Sequence, residues 1–299
     1  MGLPDKVTEL KHGAYSGLRL AQFWEKQIAT HGEEKATAFY KHLGLNHLET
    51  KGYEWEGLTL SREPKEHEKL CVKGIANAQE TAKEQIGKVL LSLRTGLIAQ
   101  GVGIVKKLSP KDYHTLVLEV PEETRKDLRA RVGDAYRHGR KLVAQELRGT
   151  KAADDEDDES DELDDLTELT DARVVNDVQA RIADAAARFA LLGLTGVLLT
   201  EAINKELADG SVSYIDRASR GLANRVINIG RGDEARSRSS QWERVEYSAL
   251  LDQNVCPACA AEDGQEAASE DELTPTPNPE CEGGDWCRCF HVFVAEGNM

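Results

Sequence analysis

Five of the six cysteines in this chain crowd into one C-terminal stretch, from Cys256 to Cys289. The order is Cys256-Pro257-Ala258-Cys259, then Asp263-Gly264, then Pro277-Asn278-Pro279-Glu280-Cys281, and finally Cys287-Arg288-Cys289. A C-x-x-C knuckle aims two sulfurs at one centre. In extended chain, residues two apart share a face, so Cys287 and Cys289 can do the same. Four thiolates from Cys256, Cys259, Cys287 and Cys289 complete a tetrahedral zinc site with no open position, the arrangement of structural rather than catalytic zinc. Cys281 and His291 compete for one of those places, and spacing does not rank them. Packed free thiols and disulfides are the other readings of the cluster. A bound metal would matter energetically, because so short a tail has little core of its own and structural zinc supplies on the order of 10 kcal/mol of folding free energy.

A catalytic use of the same sulfurs finds little support. Zinc deaminases combine H-x-E with P-C-x-x-C, and His47-Leu48-Glu49 is present here. It lies far upstream, however, and Pro257 follows the first cysteine instead of preceding it. One histidine near the cluster leaves no base–nucleophile pair, so we expect a non-enzymatic protein.

Two further features could touch phosphate. Arg217, Arg220, Arg225, Arg231, Arg236, Arg238 and Arg244 form a series without lysine, and arginine is favoured where planar contacts to carboxylate or phosphate matter. Asp216, Asp233, Glu234 and Glu243 lie among them, which leaves an excess of +3. Intramolecular pairing on a solvated helix is the plain reading. A basic edge that binds DNA through Arg217, Arg220, Arg225 and Arg231 is the sharper one. The stretch Tyr136-Arg137-His138-Gly139-Arg140-Lys141 is also locally basic, yet it matches no nucleic-acid motif and reads first as exposed surface.

The elements that must position these residues are mostly helical. In 299 residues only 5% are aromatic and 30% are charged, a balance that favours helices and solvated surface over a large sheet core. No secretory leader pattern opens the sequence, so reduced thiols and metal binding rank ahead of disulfides, and Cys71 reads as a small core residue. The longest apolar run, 189–200, is too short to span a bilayer and reads as buried helix. Residues 1–150 carry 25 basic against 20 acidic side chains, a net of +5, while residues 151–299 carry 13 against 33, a net of −20. The acidic block around Asp154–Asp165 repels itself and is expected to be a disordered linker.

The apolar spacing places a long helix from Pro64 towards Lys107, on Leu70, Ile75, Ala82, Ile86, Val89, Leu90, Leu93 and Ile98, with a break near Gly96, Gly101 and Gly103. Residues 52–60 read as a connector. Pro121-Glu122-Glu123 opens a second helix, on Leu128, Val132, Tyr136, Leu142 and Leu147. Thr170-Asp171 caps a third, running through Val174, Val178, Ile182, Ala185, Phe189 and Leu192 to Leu207. A fourth spans about 212–228, and residues 245–251 and 290–294 are the strand candidates. The expected fold is therefore mainly α, long helices with a small C-terminal α+β cysteine-rich zinc module. Its divisions are an N-terminal helical segment (1–60), a helical domain (61–152), an acidic linker (153–168) and a final domain (169–299) with the knuckle at 246–295.

The C-terminal motifs resemble a family. Tyr247-Ser248-Ala249-Leu250-Leu251-Asp252, Cys256-Pro257-Ala258-Cys259, Asp263-Gly264, Pro277-Asn278-Pro279 and Cys287-Arg288-Cys289 look like the signature of the Mu F-like head-morphogenesis proteins, the minor head proteins of tailed bacteriophages. The likeness covers roughly residues 170–295 and includes Ile227-Asn228-Ile229-Gly230-Arg231. Many members carry His-Pro ahead of C-R-C. Here Asn278-Pro279 stands instead, and Cys281 becomes a substitute for histidine. The resemblance implies a minor capsid protein that joins the head near the portal. Its partners would be the portal protein and the major capsid or scaffold protein, with DNA as a further partner and no membrane. Its place would be the virion head interior, and the host cytoplasm during assembly. DNA binding in packaging or ejection is the alternative function, and a metal-dependent hydrolase is a third.

Overall fold

The computed structural model describes residues 53–147, 161–209, 212–251 and 255–295. The expected N-terminal helical segment up to residue 52, His47, Glu49 and residues 153–160 of the acidic block lie outside them. In chain order the elements are β1 (Tyr53–Trp55), β2 (Leu58–Leu60), α1 (Glu66–Lys69), α2 (Val72–Val105), a 3₁₀ turn (Pro110–Thr115), α3 (Glu122–Glu146) and α4 (Asp161–Leu191). There follow α5 (Gly196–Asp209), α6 (Val212–Ser237), β3 (Arg244–Ser248), α7 (Pro257–Glu262), β4 (Glu266–Ala267) and β5 (Phe290–Val294). The chain is mainly helical, as its composition implied. The described residues divide into two compact units, one within 74–238 and the other made of 53–73 together with those within 239–295. Residues 61–73 thus group with the C-terminal module, and α4 to α6 group with the helical domain.

In the helical unit the three- and four-residue spacing is realised. Leu128, Val132, Tyr136 and Leu142 of α3 and Val174, Val178, Ile182 and Ala185 of α4 are buried. Helices α3 and α6 pack backbone to backbone at two glycines. A Cβ on Gly139 would stand 2.3 Å from the Ile227 carbonyl oxygen, and one on Gly230 would stand 2.3 Å from that of Tyr136. Only a residue without a side chain permits that approach.

Several expectations are corrected here. Helix α2 runs unbroken through Gly96, Gly101 and Gly103. Gly101 serves a close contact instead, since its Cβ would sit 2.5 Å from Ile182 Cδ1. Leu70 falls between α1 and α2 and is exposed. Residues 161–168 are helical rather than disordered. Leu163 and Thr167 extend the buried face of α4, while Arg129 of α3 pairs with Asp164 at 3.1 Å and Glu168 at 3.6 Å, offsetting the repulsion. Asp171 is therefore mid-helix and buried, and does not cap the start.

The run 189–200 is not one buried helix. Gly193, at φ +80, closes α4 with bonds from Gly193 N–H to the Ala190 carbonyl (2.9 Å) and from Leu194 N–H to the Phe189 carbonyl (3.0 Å), a Schellman turn. Leu191, Leu192, Val197 and Leu198 are exposed around it. Among the described residues one helix, Val72–Val105, is long and apolar enough to cross a membrane, and 44% of its most apolar window is buried inside the protein.

In the other unit residues 53–60 form a hairpin rather than a connector. Glu56 and Gly57, at φ 46 and 82, make the two-residue turn with positive φ that suits the twist of paired strands. The C-terminal sheet has the order β4-β3-β5, antiparallel throughout, with Val245 opposite Phe293 and Tyr247 opposite His291. Every residue of β5 is buried, and so are Val245 to Ser248 of β3.

Candidate metal centre

The knuckle is built by α7. Cys256 is its N-cap residue and Pro257 its first helical residue, where the missing N–H costs nothing. The Cys259 N–H points at Cys256 Sγ over 3.5 Å, so a backbone donor already faces that sulfur. Asp263 ends the helix, and Gly264 at φ +86 turns the chain towards β4, which explains the Asp-Gly step. Cys281 arrives on a loop held by Asn278, whose side chain accepts from Glu280 N–H (2.8 Å) and whose carbonyl accepts from Cys281 N–H (3.1 Å). A 3₁₀ turn at Gly284–Trp286 then delivers Cys287, and Cys289 stands just before β5.

All five sulfurs come together, as two triads that share Cys259. Cys256, Cys259 and Cys281 have their Sγ atoms within 4.8 Å of one another, and so do Cys259, Cys287 and Cys289. The Cys256–Cys281 separation is 3.7 Å and the Cys259–Cys287 separation 4.0 Å. A metal–sulfur bond of about 2.3 Å gives a tetrahedral edge of about 3.8 Å, so these spacings suit thiolates around one ion. Cys259, Cys287 and Cys289 are buried, and Cys256 and Cys281 are partly so. The cluster could hold a metal ion.

Its electrostatics point the same way. Hydrogen bonds from Cys256 and then Cys259 pull the Cys281 thiol below its ordinary range. Interactions with the other sulfurs, Cys256 first, push Cys259 far up. The crowded sulfurs thus push the ionisation of Cys259 and Cys281 in opposite directions, a conflict that a shared cation relieves.

His291 is not part of the cluster. Its Nδ1 lies 3.1 Å from Glu270 Oε1 and its Nε2 lies 2.9 Å from the Thr274 carbonyl, so both ring nitrogens are engaged away from the sulfurs. Of the two competitors, the geometry brings in Cys281. Tyr247 is also fully buried beside the thiols, a neighbour that cysteine spacing does not reveal.

Sequence reading also missed the ionic network of this unit. Glu68, fully buried, accepts from Arg62 Nη1 and Nη2, from the Lys65 N–H and from Ser248 Oγ, each at 2.7 Å. Glu246, also buried, accepts from Lys65 and meets His67 Nε2 at 2.8 Å. The S/T/D-x-x-E pattern that marks such a cap is disguised here, because Lys65 stands where the capping side chain would be.

The arginine series is mostly spent on internal pairs. Arg231 is buried against Glu146, which corrects its assignment to a DNA edge, since a phosphate cannot reach it in this fold. Arg220 faces Glu80, Arg236 Asp233, Arg238 Glu234, and Arg244 both Glu243 and Glu266. Arg217 and Arg225 are exposed on α6. The basic stretch of α3 is partly interface as well: Tyr136 Oη donates to Asp233 at 2.8 Å and Arg140 Nε to Glu234 at 3.0 Å.

Compared with family models, with curated proteins and with solved structures, the chain matches nothing.

Proposed function

We propose that this protein is a minor head protein of a tailed bacteriophage, a non-enzymatic assembly factor that acts near the portal and carries structural zinc. The observation that carries the reading is the gathering of Cys256, Cys259, Cys281, Cys287 and Cys289 into one sulfur-only cluster. These include the cysteines on which the family resemblance rests. Sulfur-only donor sets suit zinc, and four thiolates leave no position for a substrate. A second observation favours contact-making: four large aliphatic side chains, Leu191, Leu192, Val197 and Leu198, are exposed together at the α4–α5 turn, and such patches mark interaction sites. The partners are the portal protein and the capsid or scaffold shell, and the place is the head interior.

The test is co-expression with the portal protein, followed by sizing and metal analysis. A complex that stays together in high salt and carries one zinc per chain supports the reading. Failure to co-purify, with DNA retained instead through contacts that weaken steeply with salt, would move the assignment to DNA packaging or ejection through Arg217 and Arg225. Hydrolase activity needs an open coordination position, so a spectrum of four bound thiolates argues against it.

A further inference from the structure

Tyr247 stands in the middle strand, β3, opposite His291 of β5. It is fully buried, and its hydroxyl meets no hydrogen-bond partner of ordinary geometry among the described residues. The His291 ring lies edge-on at 5.9 Å with its nitrogens turned to Glu270 and Thr274. Cys289 stands two residues before His291, in the diagonal position to Tyr247 on the same face of the strand pair.

A buried hydroxyl without a partner is a cost that phenylalanine, of nearly the same shape, avoids. A neutral thiol is a weak acceptor and does little to relieve it. A thiolate is a strong acceptor of a charge-assisted bond. The hydroxyl is therefore poorly served by a neutral thiol and well served by a metal-bound sulfur.

We propose that Tyr247 is a positioning residue: its hydroxyl donates to the Cys289 thiolate when a metal is bound, and so enlists Cys289 as a ligand. The inference rests on the metal-centre reading above. A donor to a metal-bound sulfur fixes the direction of its lone pairs and withdraws charge from it. Loss of such outer partners typically weakens metal binding by about 10- to 100-fold.

The test uses the full chain as wild type, Tyr247→Phe, Cys289→Ser and the double variant, each loaded with Zn²⁺ or Co²⁺ against a competing chelator. Tyr247→Phe should weaken zinc binding by about 10- to 100-fold and shift the sulfur-to-cobalt charge-transfer band to lower energy. The metal-free Tyr247→Phe protein should melt no earlier than metal-free wild type, because the change removes an unpartnered hydroxyl. In the Cys289→Ser background the same substitution should alter neither affinity nor band. Unchanged affinity and band in Tyr247→Phe overturn the proposal while the metal centre stands. Equal destabilisation of the metal-free and loaded forms overturns it too, in favour of plain packing. A wild type that takes up no metal removes the metal-centre reading and this inference together.

Discussion

Arg62 and Asp263 lie 201 positions apart and meet side on, with Nε 2.7 Å from Oδ2 and Nη2 3.1 Å from Oδ1. Asp263 ends the helix that carries Cys256 and Cys259, and its Oδ1 also accepts the Ala249 N–H at 2.8 Å. The same guanidinium holds both oxygens of Glu68. The segment ahead of α2 is thereby tied to the knuckle helix through one side chain.

Arg62→Ala should destabilise this unit by about 3–5 kcal/mol, because it strands the buried Glu68 carboxylate without its cation. Arg62→Lys should recover only part of that, since an ammonium cannot make two planar forks at once. Denaturant melts of the full chain check the size. Proteolysis near residues 255–263 checks the place, and an unchanged cutting pattern would refute the tie.

The sulfurs make unequal contributions. Cys259 belongs to both triads, so Cys259→Ser should abolish metal uptake. Cys281→Ser should alter the cobalt spectrum, whereas His291→Ala should leave stoichiometry and spectrum as they are, because its nitrogens serve Glu270 and Thr274. A His291→Ala protein that loses its metal would contradict the sulfur-only set. Chelation should destabilise the unit by on the order of 10 kcal/mol and leave the far-ultraviolet signal of the long helices largely intact.

What could be read from the sequence, and what could not, divides by range. Helix faces at Leu128–Val132–Tyr136 and Val174–Val178–Ile182 repeat locally, and so do the apolar runs of β3 and β5. Cys256 and Cys259 announce themselves by spacing. The hairpin at 53–60 stayed hidden because Glu56-Gly57 lacks the usual Asn-Gly or Asp-Gly signal. The end of α4 at Gly193 stayed hidden because apolar residues continue on both sides of it. Partners such as Arg62 with Asp263, or Cys281 with Cys256, depend on how distant segments meet, which no local pattern encodes.

Glu246 gives the unit an acid limit. Burial alone would raise its pKa, but hydrogen bonds from His67 and Lys65 outweigh it and hold the carboxyl below the ordinary value of 4.5. A carboxylate with a depressed folded pKa contributes stability that is complete above its unfolded value and lost as pH falls through the lower folded one. Urea midpoints of wild type should therefore drop below about pH 4.5. Glu246→Gln should start lower and lose less over the same interval. A parallel pH profile for the two proteins would show that Glu246 is not the group responsible.

Gly139→Ala should destabilise the helical unit by about 1–3 kcal/mol through overpacking, since the new methyl group meets the Ile227 carbonyl of α6 at 2.3 Å and backbone must yield. Gly103→Ala makes a matched control: a Cβ there meets nothing within 4 Å among the described residues, and the position is inside α2, where alanine is the better helix former by about 1 kcal/mol. The two substitutions should move the thermal midpoint in opposite directions. Equal effects would mean that the α3–α6 crossing is looser than the geometry says.

Arg231 separates a structural arginine from a nucleic-acid one. Its Nη2 donates to Glu146 Oε2 at 3.0 Å, and both side chains are almost wholly buried. Burial pushes the Glu146 carboxyl up while Arg231 pulls it down, so the pair is costly to separate. Arg231→Met should leave an unpaired buried carboxylate and lose about 3–5 kcal/mol, and adding Glu146→Leu should restore most of it, because an apolar pair of similar volume substitutes well for a buried ion pair. Neither change should alter retention on a DNA column at matched stability, whereas Arg217→Ala with Arg225→Ala should abolish whatever retention exists. If Arg231→Met at a temperature well below its melt loses DNA affinity and keeps wild-type stability, the arginine series is a binding edge and its pairing with Glu146 is incidental.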